Sequence, residues 1–182
     1  MSHSTSLPGF GAPAVGFEQP FEMLEACHAR VNRSLDLLRR LMAHIEANGH
    51  DPSSRSAAAD VLRYFDIAAP LHHEDEEIHV FPALAGSTDA QLRTAIATLQ
   101  GDHERMARLW AELRGALLQW RDAAAPPVID DATRKLASDF IGSYAAHIAT
   151  EEGLVYPAAR ACFDAAGLAR IGAEMQARRH AG

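Results

Sequence analysis

The sequence is poor in cysteine, in aromatic residues and in long apolar runs, and each shortage removes a class of protein. Its two cysteines, Cys27 and Cys162, stand far apart. They form neither a closely spaced metal motif nor the disulfide framework of a small secreted domain, which fits a reducing compartment. No apolar stretch reaches the length that spans a bilayer, and residues 1–16 carry no basic region followed by an apolar one, so a soluble, cytoplasmic protein with no membrane partner is expected. Positive charge is also in deficit: 17 Lys and Arg against 24 Asp and Glu give a formal charge of -7, which repels phosphate backbones and argues against a nucleic-acid partner. Aromatics make up only 7%, and Val and Ile are scattered singly, without the alternating clusters that strands need.

What remains is a chain of 182 residues, 48% hydrophobic, long enough for one sizeable core and patterned throughout for helix. Seam positions recur three and four apart at Phe21, Leu24, Val31, Leu35, Leu38, Met42 and Ile45, with His28 in the place between Leu24 and Val31; a second helix brings Val61, Phe65 and Ala68 inward. A third repeats the seam from Leu92 through Leu99, Met106 and Leu113 to Trp120, and a fourth from Leu136 through Phe140 and Tyr144 to Leu154. Asn48 to Pro52 and Ala124 to Asp131 read as connections, and Pro70 predicts a kink or a freed carbonyl inside the second helix. The expected fold is all-α: an up-down-up-down four-helix bundle over residues 18–160, preceded by a flexible tail or strap at 1–17 and closed by a short C-terminal helical cap at 161–182.

The core stripe turns polar at the same level in every helix. His28 recurs 75 residues later as His103, His72 as His147, Glu76 as Glu151 and Pro82 as Pro157, so the chain reads as two copies of one helical hairpin, each with an aromatic-Pro stop at Phe81-Pro82 or Tyr156-Pro157. Residues four apart share a helix face; His72 with Glu76 and His147 with Glu151 therefore each aim a nitrogen and a carboxylate at one point. Four imidazoles and two carboxylates, with no thiolate, suit two ions of iron or manganese better than one structural zinc. Burying that set without a cation would cost several kcal/mol for each unpaired charge, and few Lys or Arg lie on this face.

The runs His72-His73-Glu74-Asp75-Glu76-Glu77 and His147-Ile148-Ala149-Thr150-Glu151-Glu152, with His28, His103 and the two aromatic-Pro pairs, resemble the hemerythrin-like HHE cation-binding family over residues 20–158. The resemblance implies a di-iron centre, bridged by carboxylate and an oxo or hydroxo group, with manganese or zinc as substitute ions. It implies a protein that binds or senses dioxygen, nitric oxide or iron and redox state. His28, His72, Glu76, His103, His147 and Glu151 are the implied metal ligands. Oxygen-carrying members have a second His four residues after the third-helix His, where Ala107 stands here, and take their last carboxylate one residue further on, at Glu152.

Three other readings follow from the same residues. The centre is the core of an enzyme acting on oxygen, peroxide or nitric oxide, or it only staples the bundle as an interaction module. A ferritin-like oxidase would use Glu25 with His28 and Glu76 with His79, which leaves His103 and His147 unexplained. His73 and His79 are expected at the surface, Cys27 as a small buried residue, and Tyr64 and Tyr144 as core.

Overall fold

The computed structural model describes residues 15–122 and 128–180, and these form five helices without a strand. Most of the expected N-terminal tail, and the Pro126-Pro127 part of the last connection, lie outside the described residues. Helix α1 spans Pro20–Asn48, α2 residues 52–83, α3 Ala90–Asp122, α4 residues 131–160 and α5 Ala165–His180. Four of the five starts are set by an aspartate that accepts a free N–H of the first turn: Asp51 from Ser54 (2.8 Å), Asp89 from Gln91 (2.8 Å), Asp130 from Thr133 (2.8 Å) and Asp164 from Gly167 (2.7 Å). In return the Asp51 N–H donates to the Ser54 hydroxyl oxygen (3.0 Å), a reciprocal cap; just before it Gly49, at φ 82, turns the chain out of α1.

Helices α2 and α4 are interrupted by π-turns at Tyr64–Ala68, Glu76–Val80 and Glu151–Val155. Each stops two residues before a proline, namely Pro70, Pro82 and Pro157. A proline ring lacks the N–H and collides with the carbonyl four residues back. The chain widens one turn, and the residue before the proline donates to the carbonyl five back: Ala69 to Tyr64, Phe81 to Glu76 and Tyr156 to Glu151. The aromatic-Pro pairs expected as stops are thus passed: α2 runs on through Ala83 and α4 through Arg160, because the wider turn absorbs the ring.

Every long helix crosses from one apolar cluster to another through a polar level. One cluster holds Leu38, Phe65, Leu113, Leu117, Trp120 and Phe140; the other holds Leu24, Val80, Phe81, Leu99, Val155 and Met175. Between them lie the buried His28, His72, Glu76, His103, His147 and Glu151. Helix α5 crosses this end of the bundle, and its Arg178 and Arg179 reach Asp75, which is fully buried next to Glu76; the closest contacts are 2.5 Å from Arg178 Nη2 and 2.7 Å from Arg179 Nη2.

The described start of the chain is a strap. Val15 and Phe17 pack on the second cluster, and the Arg179 guanidinium lies 5.2 Å from the Phe17 ring centre. The strap presses so closely on α5 that a Cβ on Gly172 would collide with the Phe17 carbonyl, a backbone atom that cannot rotate away. Gly172→Ala is expected to displace the strap or tilt α5, lowering stability by about 1–3 kcal/mol, as overpacking does; thermal unfolding beside Gly101→Ala, where nothing opposes a Cβ, measures it.

Candidate metal centre

The six residues picked out by the repeat converge in the bundle interior, each at most 7% exposed. His28, His72, Glu76 and Glu151 bring one donor atom each within 4.8 Å of one another. His103 and His147 do the same with His73. The carboxylates lie between the two groups: Glu151 Oε2 is 3.1 Å from His28 Nε2 and its Oε1 2.9 Å from His147 Nε2, while Glu76 places Oε1 3.5 Å from His72 Nε2 and Oε2 3.4 Å from His103 Nε2.

His73 departs from the surface position expected of it. Its ring stacks on His103 with centroids 4.0 Å apart and an 11° tilt, and it stands 6.2 Å from the His147 ring. Successive residues diverge by about 100° around a helix, which put His73 outside when His72 pointed in. The centre is wide enough that both rings border it, His72 toward His28 (Nε2 to Nε2, 3.1 Å) and His73 toward His103. His79 is likewise covered, Arg178 Nη2 lying 2.8 Å from its Nε2 under α5, away from the centre. Glu25 is exposed, so the pairs of a ferritin-like oxidase do not assemble.

A second layer obeys the same repeat. Glu77 Oε1 is 3.0 Å from His103 Nδ1, and 75 residues on Glu152 Oε1 is 2.8 Å from His28 Nδ1. Both carboxylates are partly exposed and meet the outward nitrogen, so an Nδ1–H donated to them leaves Nε2 as the inward lone pair. Glu77 is itself held by Gln100 Nε2 (3.0 Å). Phe81 and Tyr156 are also equivalents: Phe81 stacks on His103 (5.7 Å, 27°) and Tyr156 on His28 (5.6 Å, 10°). Only Tyr156 carries a hydroxyl, which donates to Glu76 Oε1 and lies 3.2 Å from His28 Nε2. The 75-residue offset already pairs Phe81 with Tyr156, and carried one residue past Glu76 and Glu151 it also finds Glu77 and Glu152. Tyr64 donates to the Cys27 carbonyl (3.2 Å) and Tyr144 is buried in the core.

Among the described residues, seven buried side-chain atoms have no hydrogen-bond partner: Nδ1 of His72, Oε2 of Glu76, Nε2 of His103, both nitrogens of His147 and both oxygens of Glu151. They face one another at 2.9–3.4 Å, separations that two donors of a shared ion would also have. Two donors held by one ion at about 2.1 Å lie about 3.0 Å apart at right angles and about 3.4 Å apart at the tetrahedral angle. Among the described residues, the cationic side chains within ion-pair reach of Glu76 and Glu151 are the histidines alone.

Without another cation the protons divide unevenly. Burial, reinforced by His28, lowers His72 to about 3, and burial with His103 takes His73 well below its ordinary value. Burial also opposes charge on His103 and His28, but contacts with Glu151, and for His103 with Glu76, outweigh it and hold His103 up at about 10 and His28 above normal. Glu76 is raised by burial and by Glu151; Glu151 is pushed up by burial yet held well below normal by His103, His147 and His28. These are donor atoms poised to exchange protons for metal.

Residues 19–159 match the family model described as Hemerythrin HHE cation binding domain. A Haemophilus influenzae protein described as an uncharacterized protein is 35% identical over 163 residues, which cover 90% of this chain and 91% of that one. Among the described residues no helix is long and apolar enough to cross a membrane.

Proposed function

We propose, from the premise that this chain belongs to the hemerythrin HHE cation-binding family, that it holds two iron ions and binds dioxygen or nitric oxide reversibly, as a carrier or sensor in the cytoplasm. The observation that carries the reading is the set of orphaned imidazole and carboxylate atoms buried between two apolar clusters, with histidines the only counter-charges to Glu76 and Glu151 among the described residues. His28, His72, Glu76 and Glu151 would hold one ion; His73, His103 and His147 the other, with Glu76 and Glu151 between them. Bound iron supplies open coordination positions and one-electron chemistry. Glu77 and Glu152 fix the tautomer and aim of His103 and His28, the apolar clusters exclude water, and the Tyr156 hydroxyl keeps a proton beside Glu76 and His28.

Protein purified from iron-supplemented cells is expected to carry about two irons per chain by elemental analysis, and His72→Ala with His147→Ala to lose them while remaining helical. An absence of metal from the unaltered chain would sink the proposal. Loading should also expel protons. His103 is held up at about 10, so at neutral pH its Nε2 carries a proton that an ion must displace. Apparent affinity for Mn2+ or Fe2+ is therefore expected to rise with pH through the neutral range, by up to about tenfold per unit for each proton released. Calorimetry in buffers of different ionisation enthalpy counts those protons; a count of zero contradicts ligation through His103 and His28.

A further inference from the structure

Beside the centre lies a cavity of about 160 Å³, lined by Phe65, Ala69, Pro70, His73, Met106, Ala107, Trp110 and Tyr144. Pro70 and Ala107 are exposed at its mouth, while Phe65, Ala69, Met106 and Tyr144 are buried. The imidazole of His73 forms part of the wall and stacks on His103 on the side of the metal group. The Trp110 indole N–H is already spent on Asp66 Oδ1 (3.0 Å), which Arg114 Nε also holds (2.9 Å). Apart from His73 and the Tyr144 hydroxyl the rest of the lining is apolar, and a space of this size admits a few heavy atoms.

The internal repeat makes this cavity informative. The offset of 75 carries its lining to a second place beside His28, where Ala69 and Tyr144 exchange positions, Ile148 stands for His73 and Leu35 for Trp110. A branched aliphatic side chain thus stands there where an imidazole lines the first. The His28 group is also closed from the other side: the Tyr156 ring stacks on His28, its hydroxyl meets Glu76, and Phe21 packs edge-on against it at 6.0 Å.

We infer that the cavity is the antechamber through which an uncharged ligand of two or three atoms reaches the His73, His103, His147 group, and that the His28 group is closed to it. The inference rests on the metal-binding reading above. It ascribes ligand access to Ala107 at the mouth and Ala69 at the floor.

Two measurements test it: xenon binding in pressurised crystals, which needs no metal, and stopped-flow association of nitric oxide with the iron-loaded full chain. In the unaltered protein xenon should occupy the cavity. Ala107→Phe, at an exposed position, and Ala69→Leu, which fills from within, should each displace xenon and slow nitric oxide association at least tenfold with the iron count unchanged. Unchanged association in a variant that excludes xenon, or a cavity that takes no xenon, overturns the route while leaving the metal reading standing. A chain without iron overturns both, and the metal count alone identifies that failure.

Discussion

Exchanging Glu151 for glutamine is expected to empty both metal groups at once. One oxygen of this carboxylate is 3.1 Å from His28 Nε2, and the other is 2.9 Å from His147 and 3.8 Å from His103. It therefore faces histidines of both groups, carries one of the two buried negative charges between them, and has no hydrogen-bond donor to either oxygen. Glutamine keeps the shape, but it replaces one acceptor by an N–H2 group and removes the charge that offsets a divalent ion's loss of water. Metal content should fall from about two ions per chain to less than half an ion after dialysis, with helicity preserved. Glu152→Gln is the control. Its side chain is 43% exposed and touches the outer nitrogen of His28, so it should weaken binding only by the 10–100-fold typical of an orienting partner. Retention of two ions by Glu151→Gln would refute its place between the groups.

Removing the two arginines that cover Asp75 should give the largest loss of stability. Asp75 is fully buried, its oxygens met at 2.5 Å by Arg178 and 2.7 Å by Arg179, each about 20% exposed. Arg178→Ala with Arg179→Ala strands a carboxylate in the interior, a change that typically costs about 3–5 kcal/mol. For a chain of this size that is a fall in Tm of roughly 6–20 °C. Helix α5 can limit the damage by lifting off so that water reaches Asp75, and proteolysis near Ala165 would then accelerate. Adding Asp75→Leu should restore most of the stability, because no charge is left behind. If the triple variant is as unstable as the double one, the arginines act through packing and not through Asp75.

The helices and the buried polar level were legible for one reason: a histidine in an apolar seam has few innocent explanations, and four of them at one spacing have fewer. The 75-residue offset linked His28 with His103 and Glu76 with Glu151 before any geometry was known. It also linked Phe81 with Tyr156, which read as helix stops, and Glu77 with Glu152, but a charged residue at a helix surface and an aromatic before a proline each have an ordinary role, and so do not announce contact with His103 or His28. His73 was hidden by the helical wheel, which assumes one narrow buried line, whereas a centre bordered by two groups accepts neighbours on either side of it. The π-turns were half visible. Pro70 announced a disturbance, but Pro82 and Pro157 read as ends, because only the folded helix shows that one widened turn lets the chain continue. The hold of α5 on Asp75 joins residues more than one hundred positions apart, and no local pattern encodes it.

The division of donors between the two hairpins has a consequence for connectivity. One metal group draws His28, His72 and Glu76 from the first hairpin and Glu151 from the second; the other draws His73 from the first and His103 and His147 from the second. Neither hairpin owns a complete set. The segment between Ala83 and Ala90 therefore keeps each half at a high effective concentration for the other, turning what would be a bimolecular encounter into ring closure. Opened at that segment, the same side chains would have to find one another through solution, and ion affinity would become dependent on protein concentration.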